Sequence, residues 1–119
     1  MKIIVMGQQA FGKDVLEKIL TAQVDEIVAV YCEPDKEGRP HDPIKEFAMG
    51  QGLDVLQPKS FSERACIEKF ESLNADLMVM AFVNAFVPES ICNIPKLGSI
   101  CFHPSLLPAH RGPSAVNWP

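Results

Sequence analysis

Met1-Lys2-Ile3-Ile4-Val5-Met6-Gly7-Gln8-Gln9-Ala10-Phe11-Gly12, followed by Val15, Leu16, Ile19 and Leu20, is the stretch that decides the fold class of this chain. Residues 2–6 form a continuous apolar run rich in β-branched side chains, and continuous rather than alternating hydrophobicity suits a strand covered on both faces. It is the expected central strand. Val15, Leu16, Ile19 and Leu20 recur at helical spacing and leave Asp14, Glu17 and Lys18 for water. Residues 27–31 supply a second apolar strand, so the chain opens with a βαβ unit.

The pattern continues outward. Residues 33–43 are polar and broken by Pro34, Gly38, Pro40 and Pro43, which predicts an exposed loop. Asp42 is placed to cap a helix that starts at Pro43, buries Ile44, Phe47 and Ala48, and stops at Gly50-Gln51-Gly52. A short strand over 54–56 follows. Ser60 or Ser62 is then expected to cap a helix whose apolar contacts come from Ala65, Cys66, Phe70 and Leu73. Residues 77–81 predict a buried strand, 82–88 a loop, 88–92 a helical turn and 99–102 a last strand. This order predicts an α/β domain, with a mostly parallel sheet and helices on both faces.

The 119 residues suit one domain. A net charge of -4 and a pI near 5.3, without a cluster of Lys and Arg, argue against a nucleic-acid surface. No apolar run is long enough to span a bilayer, and residues 3–6 are too short for a secretory core, so a cytoplasmic location is expected. Cys32, Cys66, Cys92 and Cys101 form no Cys-x-x-Cys pair and are expected to be reduced and mostly buried. His41, His103 and His110 lack metal-like spacing, so no metal is expected.

Gly7-x-x-x-x-Gly12-Lys13-Asp14 falls one residue short of a phosphate-binding loop, because Asp14 stands where a hydroxyl should meet magnesium. Gln9 fills the second glycine position of a dinucleotide fingerprint. No nucleotide is expected. The two glycines read as a strand-to-helix turn, whose helix amides could hold a small anion.

His103 follows the last strand and precedes Pro104, which cannot continue a ladder. Ligands of open α/β sheets bind outside the carboxyl ends of the strands, so an imidazole there is placed for function. Cys101, two residues earlier, shares that sheet face, with Cβ atoms about 7 Å apart. A thiolate paired with a base and plain buried packing are both open readings of Cys101. Pro104, Pro108 and Pro113 stiffen a loop holding His110, Arg111 and Gly112, and Pro113 suits the first turn of a helix over 114–118.

His103-Pro104-Ser105-Leu106-Leu107-Pro108, followed by Arg111-Gly112, resembles the signature of the 10-formyltetrahydrofolate-dependent formyltransferases. The likeness spans the whole chain. It is strongest to the hydrolase branch of that family, the domain found in 10-formyltetrahydrofolate dehydrogenases, whose opening strand, glycine loop and Pro34-Asp35-Lys36 segment also look similar. The resemblance implies a Rossmann-like three-layer domain that moves a formyl group from 10-formyltetrahydrofolate to water or to an amine. It implies that His103 acts as the catalytic imidazole beside the formyl carbonyl, with Cys101 adjacent. It further implies that Met80, Ala81, Phe82 and Val83, largely through their backbone, and Ser105, Arg111 and Gly112 line the folate and substrate site.

Two departures from the family pattern carry consequences. Most formyltransferases have Asn as an oxyanion donor two residues before the His, where this chain has Cys101, a weaker donor. The family's catalytic Asp lies downstream of the Trp118 helix, beyond Pro119, so the resemblance implies residues 1–119 are a C-terminally truncated formyltransferase domain. Such a domain is expected to expose apolar surface and to form a homodimer. The acceptor stays open among water, an amino sugar, a ribonucleotide amine and a charged initiator tRNA, of which the acidic balance suits tRNA least. A non-catalytic folate-binding or oligomerising module is the alternative from another class.

Overall fold

A computed structural model of the chain describes residues 1–102. In chain order they form β1 (Lys2–Gly7), α1 (Gln9–Ala22), β2 (Glu26–Tyr31), α2 (Pro43–Gly50), β3 (Val55–Leu56), α3 (Arg64–Ser72), β4 (Leu77–Ala81), α4 (Glu89–Cys92) and β5 (Ser99–Phe102). The strands of the described residues make one sheet in the order β3-β2-β1-β4-β5, and every neighbouring pair is parallel. The expected α/β architecture is present, and β1 is its central strand.

Alternation along the strands sends side chains into two cores. Ile3, Val5, Val30 and Val79 pack with Leu16 of α1 and with Ile44 and Ala48 of α2 on one face. Ile4, Met6, Tyr31, Met78, Met80 and Cys101 pack with Phe70 of α3 and Ile91 of α4 on the other. One irregularity breaks the alternation. Ile3 pairs with Ile27 but Ile4 pairs with Ala29, so Val28 is an extra residue in β2. Val28 and Ala29 consequently both pack on the α3/α4 side, and the bulge returns Val30 to the other core.

Asp42 does what its position predicts and more. Its Oδ1 accepts from the Ile44 amide at 3.0 Å, capping α2, and also from the Gln9 amide at 2.7 Å, which ties the start of α1 to the start of α2. Gln9 holds a left-handed backbone with φ 60, a conformation that favours glycine.

Three local expectations are corrected. Residues 9–12 belong to α1 rather than to a loop, and Gly12 sits in the first turn because a Cβ there would lie 3.2 Å from the Gly7 carbonyl carbon and 3.3 Å from Ile44. Glu63 precedes α3 as its N-cap, while Ser60 and Ser62 hydrogen-bond each other at 2.8 Å in the preceding turn. Ala65 is exposed, and Ile67, two residues further along the same helix, packs against the core instead. Of the four free thiols, Cys32 and Cys101 are buried and Cys66 and Cys92 are half-buried.

Candidate functional site

The direction of chain progression reverses between β1 and β4. From β1 the chain steps outward through β2 to β3, then crosses back to place β4 and β5 on the other side. In parallel sheets the crevice outside the carboxyl ends at such a switch point is where ligands bind. A cleft of about 780 Å³ lies there, walled by the ends of β1 and β2, the turn after β3 and the loop after β4. That volume falls in the range that encloses most of a metabolite-sized ligand.

The floor comes from the sheet. Gln8 follows β1, is 3 % exposed and lines the cleft. Its backbone is fully engaged: the amide reaches the Ala81 carbonyl at 3.4 Å, and the carbonyl accepts from the Gly12 amide at 3.0 Å. Gly7 beside it admits no larger residue, because a Cβ would come within 2.5 Å of the Ala81 carbonyl oxygen. Tyr31 ends β2, its ring stacked on Phe70 with centroids 4.2 Å apart. The Tyr31 hydroxyl is buried without a hydrogen-bond partner among the described residues, and burial raises its pKa. Cys32, next in the floor, is pushed up to about 11 by burial, with Asp42 adding to the effect.

One wall is the segment after β2. Gln57 donates from Nε2 to the Glu33 carbonyl at 2.9 Å and to Asp35 Oδ1 at 2.8 Å, and Lys45 Nζ meets Asp35 Oδ2 at 2.6 Å. The hydrogen bonds from Lys45 and Gln57 hold the Asp35 carboxyl below the usual range. A proline-rich loop is thereby pinned to α2 and to the turn after β3. Phe61 and Phe86 contribute apolar wall from opposite sides.

The sequence-derived site residues are placed as follows. Met80 and Ala81 are buried in β4, and the register pairs Met80 with Cys101 and Ala81 with Phe102. Phe82 follows in a left-handed conformation, φ 59, with its amide donating to the Phe102 carbonyl at 3.0 Å. Strained backbone of this kind concentrates at ligand sites. Val83 lines the cleft. The amides of residues 83–86 make no hydrogen bond among the described residues, which leaves donors for a ligand or water. Cys101 packs in the α3/α4 core beside Met80, and burial, reinforced by Cys92, pushes its thiol up, away from thiolate character at neutral pH. His103, Ser105, Arg111 and Gly112 lie outside the described residues.

Sequence reading did not single out Gln8, Tyr31, Lys36 or Lys59 as site residues. The signal was positional: each stands just beyond, or at, the carboxyl end of one of the first three strands. Among the described residues no three His, Cys, Asp or Glu side chains gather as a metal site, and no helix is long and apolar enough to cross a membrane.

A doubly wound parallel sheet with a ligand-sized cleft at its switch point defines an α/β domain of the Rossmann-like kind. The formyl transferase family model matches residues 1–119, and the chain belongs to that family. It is 39 % identical to the cytosolic 10-formyltetrahydrofolate dehydrogenase of Xenopus tropicalis over 99 % of this chain and 13 % of that protein. It is 38 % identical to the methionyl-tRNA formyltransferase of Fusobacterium nucleatum, covering 98 % of this chain and 39 % of that one. The chain thus spans about an eighth of the dehydrogenase, the 13 % just given, and well under half of the transferase. Among solved structures, glycinamide ribonucleotide transformylase 1 from Symbiobacterium toebii superposes with a TM-score of 0.68 at 20 % identity over 94 % of this chain and 55 % of that one, a likeness of fold.

Proposed function

We propose that the chain is the N-terminal, folate-binding part of a domain that moves a formyl group from 10-formyltetrahydrofolate to water or an amine. The observation that carries this reading is the cleft at the switch point together with the level ends of β4 and β5, Ala81 paired with Phe102. The donor set fits a folate. A pterin is a flat heteroaromatic ring with an edge of donors and acceptors, and the loop after β4 offers Val83 and Phe86 as apolar wall beside amides without partners among the described residues. 10-Formyltetrahydrofolate supplies the activated formyl carbon. The chain's part is to hold that carbon still, keep bulk water from it and stabilise the oxygen as charge develops.

In this reading Met80, Ala81, Phe82 and Val83 position the pterin through their backbone, and Ser105, Arg111 and Gly112 contribute beyond β5. His103 is the catalytic imidazole, acting on the formyl oxygen as an electrophilic or general-acid group while the nucleophile attacks; collapse of the tetrahedral intermediate breaks the bond from the formyl carbon to N10, and the proton lost by the nucleophile ends on that nitrogen. Cys101 supports it from the core and is not the nucleophile, since its raised pKa keeps it a thiol. The reading needs no metal and no nucleotide.

The test is turnover of 10-formyltetrahydrofolate by the full-length protein and by its His103→Ala variant. Loss of about 10²–10⁴-fold in kcat, with binding of a stable donor analogue retained, is the expected result for a general acid–base group. An unchanged kcat removes His103 from the chemistry. Analogue binding without turnover in the unaltered full-length protein favours the non-catalytic module.

A further inference from the structure

A second hollow, of about 430 Å³, lies between the turn after β3 and the start of α3. It shares Tyr31, Pro58, Lys59 and Ser60 with the cleft, but Leu56 and the α3 residues Ala65 and Cys66 line this hollow and not the cleft. The register pairs Tyr31 with Leu56, so the hollow sits at the ends of β2 and β3, on the outer side of the sheet and away from the switch point between β1 and β4. Its chemistry is graded with depth. Lys59, Glu63 and Lys69 are exposed, Leu56, Pro58 and Cys66 are half-buried, and Tyr31 at the floor is 2 % exposed.

Two neutral polar groups of this wall are already engaged. Gln57 Nε2 donates to the Glu33 carbonyl and to Asp35, and the Ser60 and Ser62 hydroxyls bond each other. The Tyr31 hydroxyl is different: it is buried without a hydrogen-bond partner among the described residues, while its ring is held by the stack on Phe70. The ionisable neighbour that bears on this hydroxyl is Cys66, which lines the hollow and not the cleft, so the hydroxyl faces the α3 side. A buried hydroxyl without an acceptor is costly, and an oxygen brought to it recovers that cost. Burial keeps Tyr31 protonated, and burial together with the Glu63 carboxylate keeps Cys66 a thiol. The floor therefore offers neutral donors, and an anion pressed against them would lose its hydration while the lysines stay at the exposed rim.

We propose that the hollow between the turn after β3 and α3 is a second small-molecule site, which takes a compact, uncharged and largely apolar ligand whose carbonyl oxygen accepts from the Tyr31 hydroxyl. The body of that ligand packs on Leu56, Pro58 and the Cys66 side chain. The volume suits a small ligand, and the apolar wall with one placed donor is the usual composition of such a site. The inference goes beyond the folate reading and does not depend on what fills the cleft.

The test is an NMR titration of the unaltered chain, followed on backbone amides, with two probes: N-methylpyrrolidone, a neutral carbonyl acceptor without an N–H group, and cyclopentanecarboxylate, an anion of similar size. Three variants accompany it. Tyr31→Phe deletes the hydroxyl and keeps the ring on Phe70, Ala65→Trp fills the hollow from an exposed position of α3, and Ala85→Trp fills the cleft instead. The pyrrolidone should give saturable shifts around Leu56 and Cys66 and bind more tightly than the carboxylate. Its affinity should fall about three- to tenfold in Tyr31→Phe, the loss of one neutral hydrogen bond, fall at least about tenfold in Ala65→Trp, and stay unchanged in Ala85→Trp. The free Tyr31→Phe protein should melt at or above the temperature of the unaltered chain, because it has lost a hydroxyl that had no acceptor. The proposal is overturned if the pyrrolidone does not bind saturably, if Tyr31→Phe or Ala65→Trp binds it as the unaltered chain does, if Ala85→Trp weakens it, or if the carboxylate binds more tightly. A lowered melting temperature for Tyr31→Phe also overturns it, since the hydroxyl would then have its acceptor within the fold.

Discussion

β1 and β5 look alike in sequence, short apolar runs of Ile3-Ile4-Val5-Met6 and Ile100-Cys101-Phe102, but they live in different surroundings. Every residue of β1 from Ile3 to Gly7 is buried, half against α1 and α2 and half against α3 and α4. β5 buries Cys101 on the α3/α4 side, whereas Ile100 and Phe102 on its other face are 36 % and 43 % exposed. The centre of this sheet is a two-sided core and its β5 edge is a one-sided one. Hydrophobicity alone does not report that difference, because coverage depends on which helices lie over a strand.

The largest effect should come from the centre. Ile4→Ala removes a fully buried side chain and is expected to cost about 2–5 kcal/mol in chemical denaturation. Ile100→Ala, at the partly exposed edge, should cost less than about 1 kcal/mol. Equal losses would mean that β5 is covered as fully as β1.

Next come the glycines. Gly7→Ala drives a methyl into the Ala81 carbonyl, 2.5 Å from the new Cβ, and should cost about 1–3 kcal/mol through displaced backbone. Gly50→Ala, at the end of α2, meets nothing within 4 Å and should stabilise the fold by about 0.4–1 kcal/mol. The signs should be opposite.

Asp42→Ala removes one oxygen that serves two helix starts, with an expected cost of about 1–2 kcal/mol. Asp42→Asn, which keeps an acceptor, should recover part of that loss.

The last effect is confined to alkaline solution. Tyr31 and Cys32 both titrate above their ordinary values in the fold, Cys32 at about 11 against 9.0. The unfolded chain gives up these protons first, so stability should be full below pH 9 and decline as the pH rises toward 11. Denaturant midpoints at pH 8 and at pH 10.5 check the sign, and native-state alkylation of Cys32 should stay slow until the upper end of that range.

The strands were legible in the sequence because each is a compact apolar run between turn residues, and α2 was legible because Asp42-Pro43 is a strong start signal. The start of α1 was not. Gly12 reads as a helix breaker along the chain, but it serves a close approach of helix, β1 and Ile44 that exists in three dimensions alone. Ser60 and Ser62 have capping chemistry, yet they bond to each other and leave Glu63 at the cap. In the candidate site, Val83 and the loop after β4 were identified through their likeness to the family. Gln8, Tyr31, Lys36 and Lys59 come from three segments that share no motif, and their convergence follows from the parallel order β3-β2-β1. A cleft assembled from strand ends cannot be read from any one of them.

The central claim is that a formyl-bearing folate binds in the cleft at the switch point. Its most direct measurement is calorimetric titration of a stable 10-formyltetrahydrofolate analogue into the unaltered chain and into Ala85→Trp, which fills the cleft from an exposed position after β4. The account predicts saturable binding to the first and binding at least about tenfold weaker to the second, with thermal melts unchanged. Equal affinity for both proteins, or no saturable binding to the unaltered chain, would contradict it.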